Sequence, residues 1–150
     1  MNVLSRVVGA SAGTVGGLVA TGAMTAVLAV ATARGWLGTP PPKKIVDAAT
    51  PPMSESATNT AAAVSHVAYG AGAGALYGFL GGHRRQPMPV AVVTGIGYGL
   101  AVWAASYEGW VPAAGIMPPA HRDRPDRTAS MIVAHVVYGA VLGAWTRRSR

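Results

Sequence analysis

His66 and His135 are the residues whose type and surroundings hold chemistry in this chain. Each opens a copy of one motif. His66-Val67-Ala68-Tyr69-Gly70-Ala71-Gly72-Ala73-Gly74-Ala75 returns as His135-Val136-Val137-Tyr138-Gly139-Ala140-Val141-Leu142-Gly143-Ala144, with seven of ten positions identical at an offset of 69. On a helix, Tyr69 and Tyr138 at i+3 and Gly70 and Gly139 at i+4 share the histidine face, and Tyr77 and Thr146 return to it at i+11. Three chemistries compete for these side chains. In the leading one, each neutral imidazole hydrogen-bonds a neighbouring helix backbone or a Ser/Thr hydroxyl and fixes packing. In the second, His66 and His135 ligate one haem b, and the glycines leave room for the porphyrin. In the third, His66, Tyr69, His135 and Tyr138 line a polar cavity that relays protons or admits a small solute, as in a pH-responsive transporter or pore. The packing reading needs no cofactor. A zinc site lacks both thiolate and intramembrane carboxylate.

The elements that position these residues follow from where the charges fall. All 17 charged residues lie outside four windows, Val7–Ala33, Ser56–His83, Gln86–Tyr107 and Thr128–Thr146, of 27, 28, 22 and 19 residues. A helix needs roughly 20 apolar residues to cross a bilayer core. A soluble helix carries charge on its outer face, whereas these are uncharged all round, so lipid or protein must surround them. The expectation is one all-α membrane domain, residues 1–150, with four transmembrane helices: Val7–Ala33, Asn59–Gly82, Pro89–Tyr107 and Thr128–Trp145. Arg34-Gly35-Trp36 ends the first. Pro40, Pro41 and Pro42 forbid its continuation, leaving a loop with a short interfacial turn at Ile45–Ala48. His83-Arg84-Arg85-Gln86-Pro87 is a tight connection, and Glu108-Gly109-Trp110 closes the third helix. The segment His121–Arg127 reads as a solvated loop, with Asp126 or Thr128 as the cap of the last helix, and Thr146-Arg147-Arg148-Ser149-Arg150 ends the chain. Arg6 with Ala31-Thr32-Ala33 has the outline of a signal peptide, but the apolar stretch far exceeds an h-region of about 7–15 residues, so it reads as an uncleaved anchor.

The halves match beyond the His motif. Repeat 1 (1–85) and repeat 2 (86–150) are each a long helix, a Gly-Trp exit (Gly35-Trp36, Gly109-Trp110, offset 74), a Pro-rich loop and a His-Tyr-Gly helix. Two spans per copy give parallel repeats about a pseudo-twofold axis along the membrane normal. Glycines recur every four residues: Gly9, Gly13 and Gly17, continued by Thr21 and Thr25; Gly70, Gly74, Gly78 and Gly82; Gly95 and Gly99; Gly139 and Gly143. Small residues at this spacing let helix backbones approach in lipid, within one bundle or against another subunit of a homo-oligomer or larger membrane complex. The Ser and Thr hydroxyls of helices 1 and 3 are expected to bond back to their own i−4 carbonyls.

No Ser/His/Asp order, phosphate loop or paired carboxylate marks an enzyme, and Gly95, Gly97 and Gly99 lie inside an apolar span, where a dinucleotide turn is a poor reading. There is no cysteine. The net charge of +7 has no nucleic-acid module beside it, so the bilayer and its anionic lipids are the expected partners. Basic residues divide six and six between the two sides; those nearer the helix ends lie on the terminal side, which favours cytoplasmic termini in an inner membrane.

Trp110, Pro118-Pro119 and Ala134-His135-Val136-Val137-Tyr138 resemble a pattern of the YagU-like group of small bacterial inner-membrane proteins, over mainly residues 98–145. There too a Pro-Pro loop precedes a final helix with an intramembrane His beside aromatics. The resemblance implies a multi-pass inner-membrane protein with a link to acid tolerance. This chain departs from the pattern in having no acidic residue on the last helix beside His135.

Overall fold

The computed structural model describes residues 2–82 and 85–148. The expected tight connection at His83-Arg84 and the terminal Ser149-Arg150 lie outside the described residues, whose regular elements are all helices. Helix α1 (Val3–Ala33) starts where the Asn2 side chain accepts the Ser5 N–H at 2.9 Å, a cap that satisfies one of the free donors of the first turn. It stops at Gly35, whose φ of 74° suits glycine. Gly35 N–H reaches Thr32 O at 2.9 Å and Trp36 N–H reaches Ala31 O at 3.0 Å, a pairing of the last carbonyls that closes the helix.

The proline run does not leave a loop. Pro41 and Pro42 open helix α2 (Pro41–Ala49), because proline's fixed φ and missing N–H are tolerated at the first helical positions. Helix α3 (Glu55–Tyr77) begins four residues before the expected Asn59, capped by Ser54, and runs into a π-helical turn, Gly78–Gly82, with Gly81 at φ 106°. Helix α4 (Met88–Trp103) continues through a π-helical stretch, Ala104–Trp110, and a last turn, α5 (Val111–Ala113). Glu108-Gly109-Trp110 therefore does not end the third helix; Gly109 only kinks it (φ −103°, ψ −106°). The exit comes at Gly115 (φ 71°), where Gly115 N–H bonds Pro112 O at 2.9 Å and Ile116 N–H bonds Val111 O at 3.2 Å. Gly115, rather than Gly109, thus repeats the geometry of Gly35. Helix α6 (Pro125–Arg148) starts three residues before the expected Thr128. Asp126 and Thr128 are inside it rather than capping it.

Helix α1 packs antiparallel on α3, α4 on α6, and α1 on α6. The glycines explain two of these contacts. A methyl on Gly13 would run into Gly74 O, on Gly17 into Gly70 O, and on Gly78 into Gly9 O. On the other pair, a methyl on Gly95 would meet Gly139 O, on Gly99 His135 O, and on Gly143 Ala91 O. Thr21 lies over Gly70. Gly82 leaves the line the spacing predicts and sits beneath the Tyr77 ring, because the π turn and Gly81 redirect the chain. Ser11, Thr14, Thr21, Thr32, Thr94 and Ser106 bond to their own i−4 carbonyls. Three stretches are long and apolar enough to cross a membrane, Val3–Ala33, Met88–Ala113 and Pro125–Arg147. Helix α3 is not among them; its Ala, Gly, Ser, Thr, Asn and His dilute its hydropathy.

Candidate functional site

Helices α3 and α4 do not pack backbone to backbone. They meet where Tyr98 OH donates to Ala73 O at 2.6 Å and where the rings of Tyr77 and Tyr98 lie 5.0 Å apart. Beside this contact lies a mainly apolar cavity of about 170 Å³. Met24 and Leu28 of α1 back it, with Met131 of α6; Pro41, Pro42 and Ile45 of α2 cover it on the loop side, with Val111 and Met117. Tyr98–Ala73 and Tyr138 OH to Gly70 O, 2.6 Å, close it toward the termini. Ser65 and Trp110 stand exposed at its mouth between α3 and α4, with Tyr69 48% exposed.

All four residues of the doubled motif, His66, Tyr69, His135 and Tyr138, line this one cavity. His66 stands eleven residues beyond Glu55 and His135 ten beyond Pro125, both about 15 Å along their helices at about 1.5 Å per residue. Neither imidazole bonds a neighbouring helix, contrary to the packing expectation. His135 is buried, and its Nδ1 lies 2.8 Å from Met131 O, one turn back on α6. A carbonyl only accepts, so Nδ1 carries the proton and Nε2 of neutral His135 is left as a bare acceptor. Nε2 of His66 is buried with no hydrogen-bond partner. The residue that ties helices together is the tyrosine: Tyr138, 3% exposed, joins α6 to α3.

Five of the hydroxyls around the cavity have already placed their protons. Thr21 donates to Gly17 O, Ser65 to Ala62 O, Ser106 to Val102 O, Tyr107 to Asp123 and Tyr138 to Gly70 O. His135 therefore offers the cavity a defined acceptor, its Nε2. Haem does not fit. A cavity near 150 Å³ holds a benzene, and a porphyrin is several times larger. The glycines expected to make room for it are filled by Thr21 at Gly70 and by the backbone of Gly95 and Ile96 at Gly139.

The loop side of the site is braced by a polar network. Arg127, 8% exposed, donates from Nε to Leu37 O at 2.8 Å and from Nη1 to both Asp123 oxygens at 3.0 and 3.1 Å. Tyr107 OH donates to Asp123 Oδ2 at 2.5 Å, so the cavity wall is tied to the ion pair. Burial alone would raise the Asp123 carboxyl. The hydrogen bonds from Tyr107, the Arg124 backbone N–H and Arg127, together with the guanidinium charge, outweigh it and hold the group below its ordinary range. His121–Arg127 is thus not a wholly solvated loop: His121, Arg122, Arg124 and Asp126 are exposed, but Asp123 and Arg127 are interior.

Sequence reasoning gave α2 only as a short turn at Ile45–Ala48 and missed Tyr107, Met117 and the Asp123–Arg127 pair. Pro41-Pro42 ahead of Ile45-Val46 signals a helix start, and Asp123 and Arg127 stand at i,i+4; neither signal tells which side faces the core. Among the described residues, no three His, Asp or Glu side chains gather as a metal site. Residues 30–144 match a family model described as a protein of unknown function, DUF1440. No curated protein and no solved structure matches the chain.

Proposed function

We propose that this chain, which belongs to the DUF1440 family of unknown function, is a non-enzymatic multi-pass protein of a bacterial inner membrane that holds a small neutral molecule between its helices. The observation that carries this reading is the convergence of His66, Tyr69, His135 and Tyr138 on one mainly apolar cavity. Side chains that cost free energy in lipid gather where a ligand would meet them, and neither imidazole serves to join helices.

Four spans are part of the proposal. Helix α3 lies against α1 at Gly70, Gly74 and Gly78, and beside α6 from Tyr138–Gly70 to Thr146–Gly82. A bilayer that contains α1 and α6 must then contain α3. So is duplication. Gly13, Gly17 and Thr21 meet α3 as Ala91, Gly95 and Gly99 meet α6, an offset of 78, and the exits at Gly35 and Gly115 agree in form. The glycine stripes are then intramolecular zippers within each hairpin. The termini share one side, which we assign to the cytoplasm, and the basic residues there face anionic lipid. The likeness of residues 98–145 to the YagU-like group overlaps the matched region up to residue 144 and adds an acid-stress context.

Two measurements test this. With no native cysteine, single cysteines at Asn2, Ser54, Ala114 and Arg147 should be labelled from one side for the first and last and from the other for the middle two. Labelling of Asn2 and Arg147 from opposite faces removes the four-span reading. The double variant His66→Leu, His135→Leu should unfold within about 1 kcal/mol of the parent, as expected of groups that make no interhelical bond. A larger loss restores the packing role.

A further inference from the structure

We infer that the cavity selects a neutral hydroxyl-bearing ring, a phenol or hydroquinone head group, that enters sideways between α3 and α4. This rests on the reading above that the cavity lies within the bilayer. Thr21, Ser65, Ser106, Tyr107 and Tyr138 spend their protons on protein acceptors. His135 spends its Nδ1 proton on Met131 O, which leaves Nε2 as an acceptor, and the buried Nε2 of His66, donor or acceptor according to its tautomer, has no partner. A ligand that satisfies His135 must bring a donor, and a hydroxyl, which both donates and accepts, also suits either tautomer of His66.

That requirement excludes classes. A carboxylate, phosphate or ketone brings no donor for His135 Nε2. An ammonium ion brings donors, but no carboxylate lines the cavity to balance its charge, and burying it unpaired is costly. A purely apolar chain leaves the imidazoles unsatisfied. Size and shape narrow the remainder: a space near 170 Å³ suits one six-membered ring, and the rings of Tyr69, Tyr138 and Trp110 give it aromatic walls. The mouth at Ser65, Tyr69 and Trp110 opens between two helices, so a tail on the ring would run into the acyl region.

The test uses the full chain in lipid nanodiscs, labelled with 15N at histidine, titrated with 4-nonylphenol, 4-nonylanisole and phenol, each expressed as its concentration in the bilayer. Nonylphenol should move the Nε2 resonances of His66 and His135 and bind at least about tenfold more tightly than nonylanisole, which has the same ring and tail but no donor. His135→Leu should abolish that preference. Equal binding of the two compounds, or a preference that survives both His66→Leu and His135→Leu, overturns the inference. The phenol arm separates the sources. If phenol binds as well as nonylphenol, lateral admission from the bilayer fails and the ring comes from water. The ligand comparison needs no variant to fold, and it is independent of the cysteine mapping, so failure here leaves the four-span reading standing.

Discussion

Gly74→Ala and Gly72→Ala add the same methyl two residues apart on α3, and they should move stability in opposite directions. At Gly74 the methyl meets Gly13 O, Gly17 Cα at 2.7 Å and Gly17 N at 2.9 Å, all backbone of α1. Backbone has no rotamer with which to yield, so α1 and α3 must part along their contact. Overpacking of this kind costs about 1–3 kcal/mol, and the rigid partner puts Gly74 at the upper end. Removing a helix-interior glycine returns about 0.5–1 kcal/mol. The net loss is then about 2 kcal/mol. At Gly72 no atom lies within 4 Å, so only the gain of about 0.5–1 kcal/mol remains. The two variants should differ by about 3 kcal/mol, a factor of more than about 100 in the unfolding equilibrium. Reversible unfolding in mixed dodecylmaltoside–SDS micelles, followed by tryptophan fluorescence, reads the difference. Gly143→Ala and Gly97→Ala should repeat it on the other pair, since Gly143 faces Ala91 O and Gly97 faces open space. Equal shifts for Gly74→Ala and Gly72→Ala would refute the close-packing argument.

Tyr138→Phe removes the bond to Gly70 O and should cost about 1 kcal/mol, whereas Tyr69→Phe, at the half-exposed mouth, should cost nothing measurable in the same unfolding assay. Arg127→Met leaves Asp123 and Leu37 O without their buried donor and should destabilise by about 3–5 kcal/mol, more than Arg124→Met at the exposed neighbour. Asp123 binds its proton less readily folded than unfolded. The stability it contributes is therefore full above the ordinary carboxylate range of about pH 4 and is lost as pH falls through its lower folded value. Unfolding measured from pH 6 to pH 3 should weaken in the parent and stay flatter in Asp123→Asn.

Charge placement showed the helices because long apolar segments exclude charge from every face, and glycine spacing showed which faces approach. Helix ends were less legible. Glu55 and Pro125 start helices inside segments whose charges had marked them as loops, since a first turn tolerates both an acid and a proline. Gly109 misled for a related reason: a Gly-Trp pair looks like an exit, but a π-helical stretch absorbs the glycine and carries the helix on to Ala113. The motif residues were found and their roles were not. His66 and His135 have the same neighbours in sequence, yet only His135 bonds its i−4 carbonyl. Tyr138 is buried while Tyr69 is 48% exposed, because α6 lies between α1 and α4 and α3 lies at the edge. Position in the bundle, which no local pattern encodes, decides between a strut and a rim.

The cavity itself can be traced to two small-to-large differences between the proposed repeats, the second of which decides it. A twofold that relates α1 to α4 and α3 to α6 also relates the α1–α6 contact to an α3–α4 contact. The first is closed: Gly16 lies against Trp145 and Leu142, and Ala20 is fully buried. The second is open. At the offset of 78 set by the glycine contacts, α4 carries Thr94 where α1 has Gly16 and Tyr98 where α1 has Ala20. Tyr98 meets Ala73 O end-on through its hydroxyl, which holds α4 one side-chain length from α3. Tyr98→Ala should let the two helices close toward the about 8–10 Å axis separation of packed helices, shrinking the cavity from its mouth. Spin labels on Gly72→Cys and Gly97→Cys, where both positions face open space, report the separation by pulsed dipolar spectroscopy. Tyr98→Phe, which keeps the bulk, should hold the parent distance. If Tyr98→Ala also holds it, the opening does not depend on the tyrosine, and the cavity must be set by α2 and the loop cluster around Leu37 and Met117 instead.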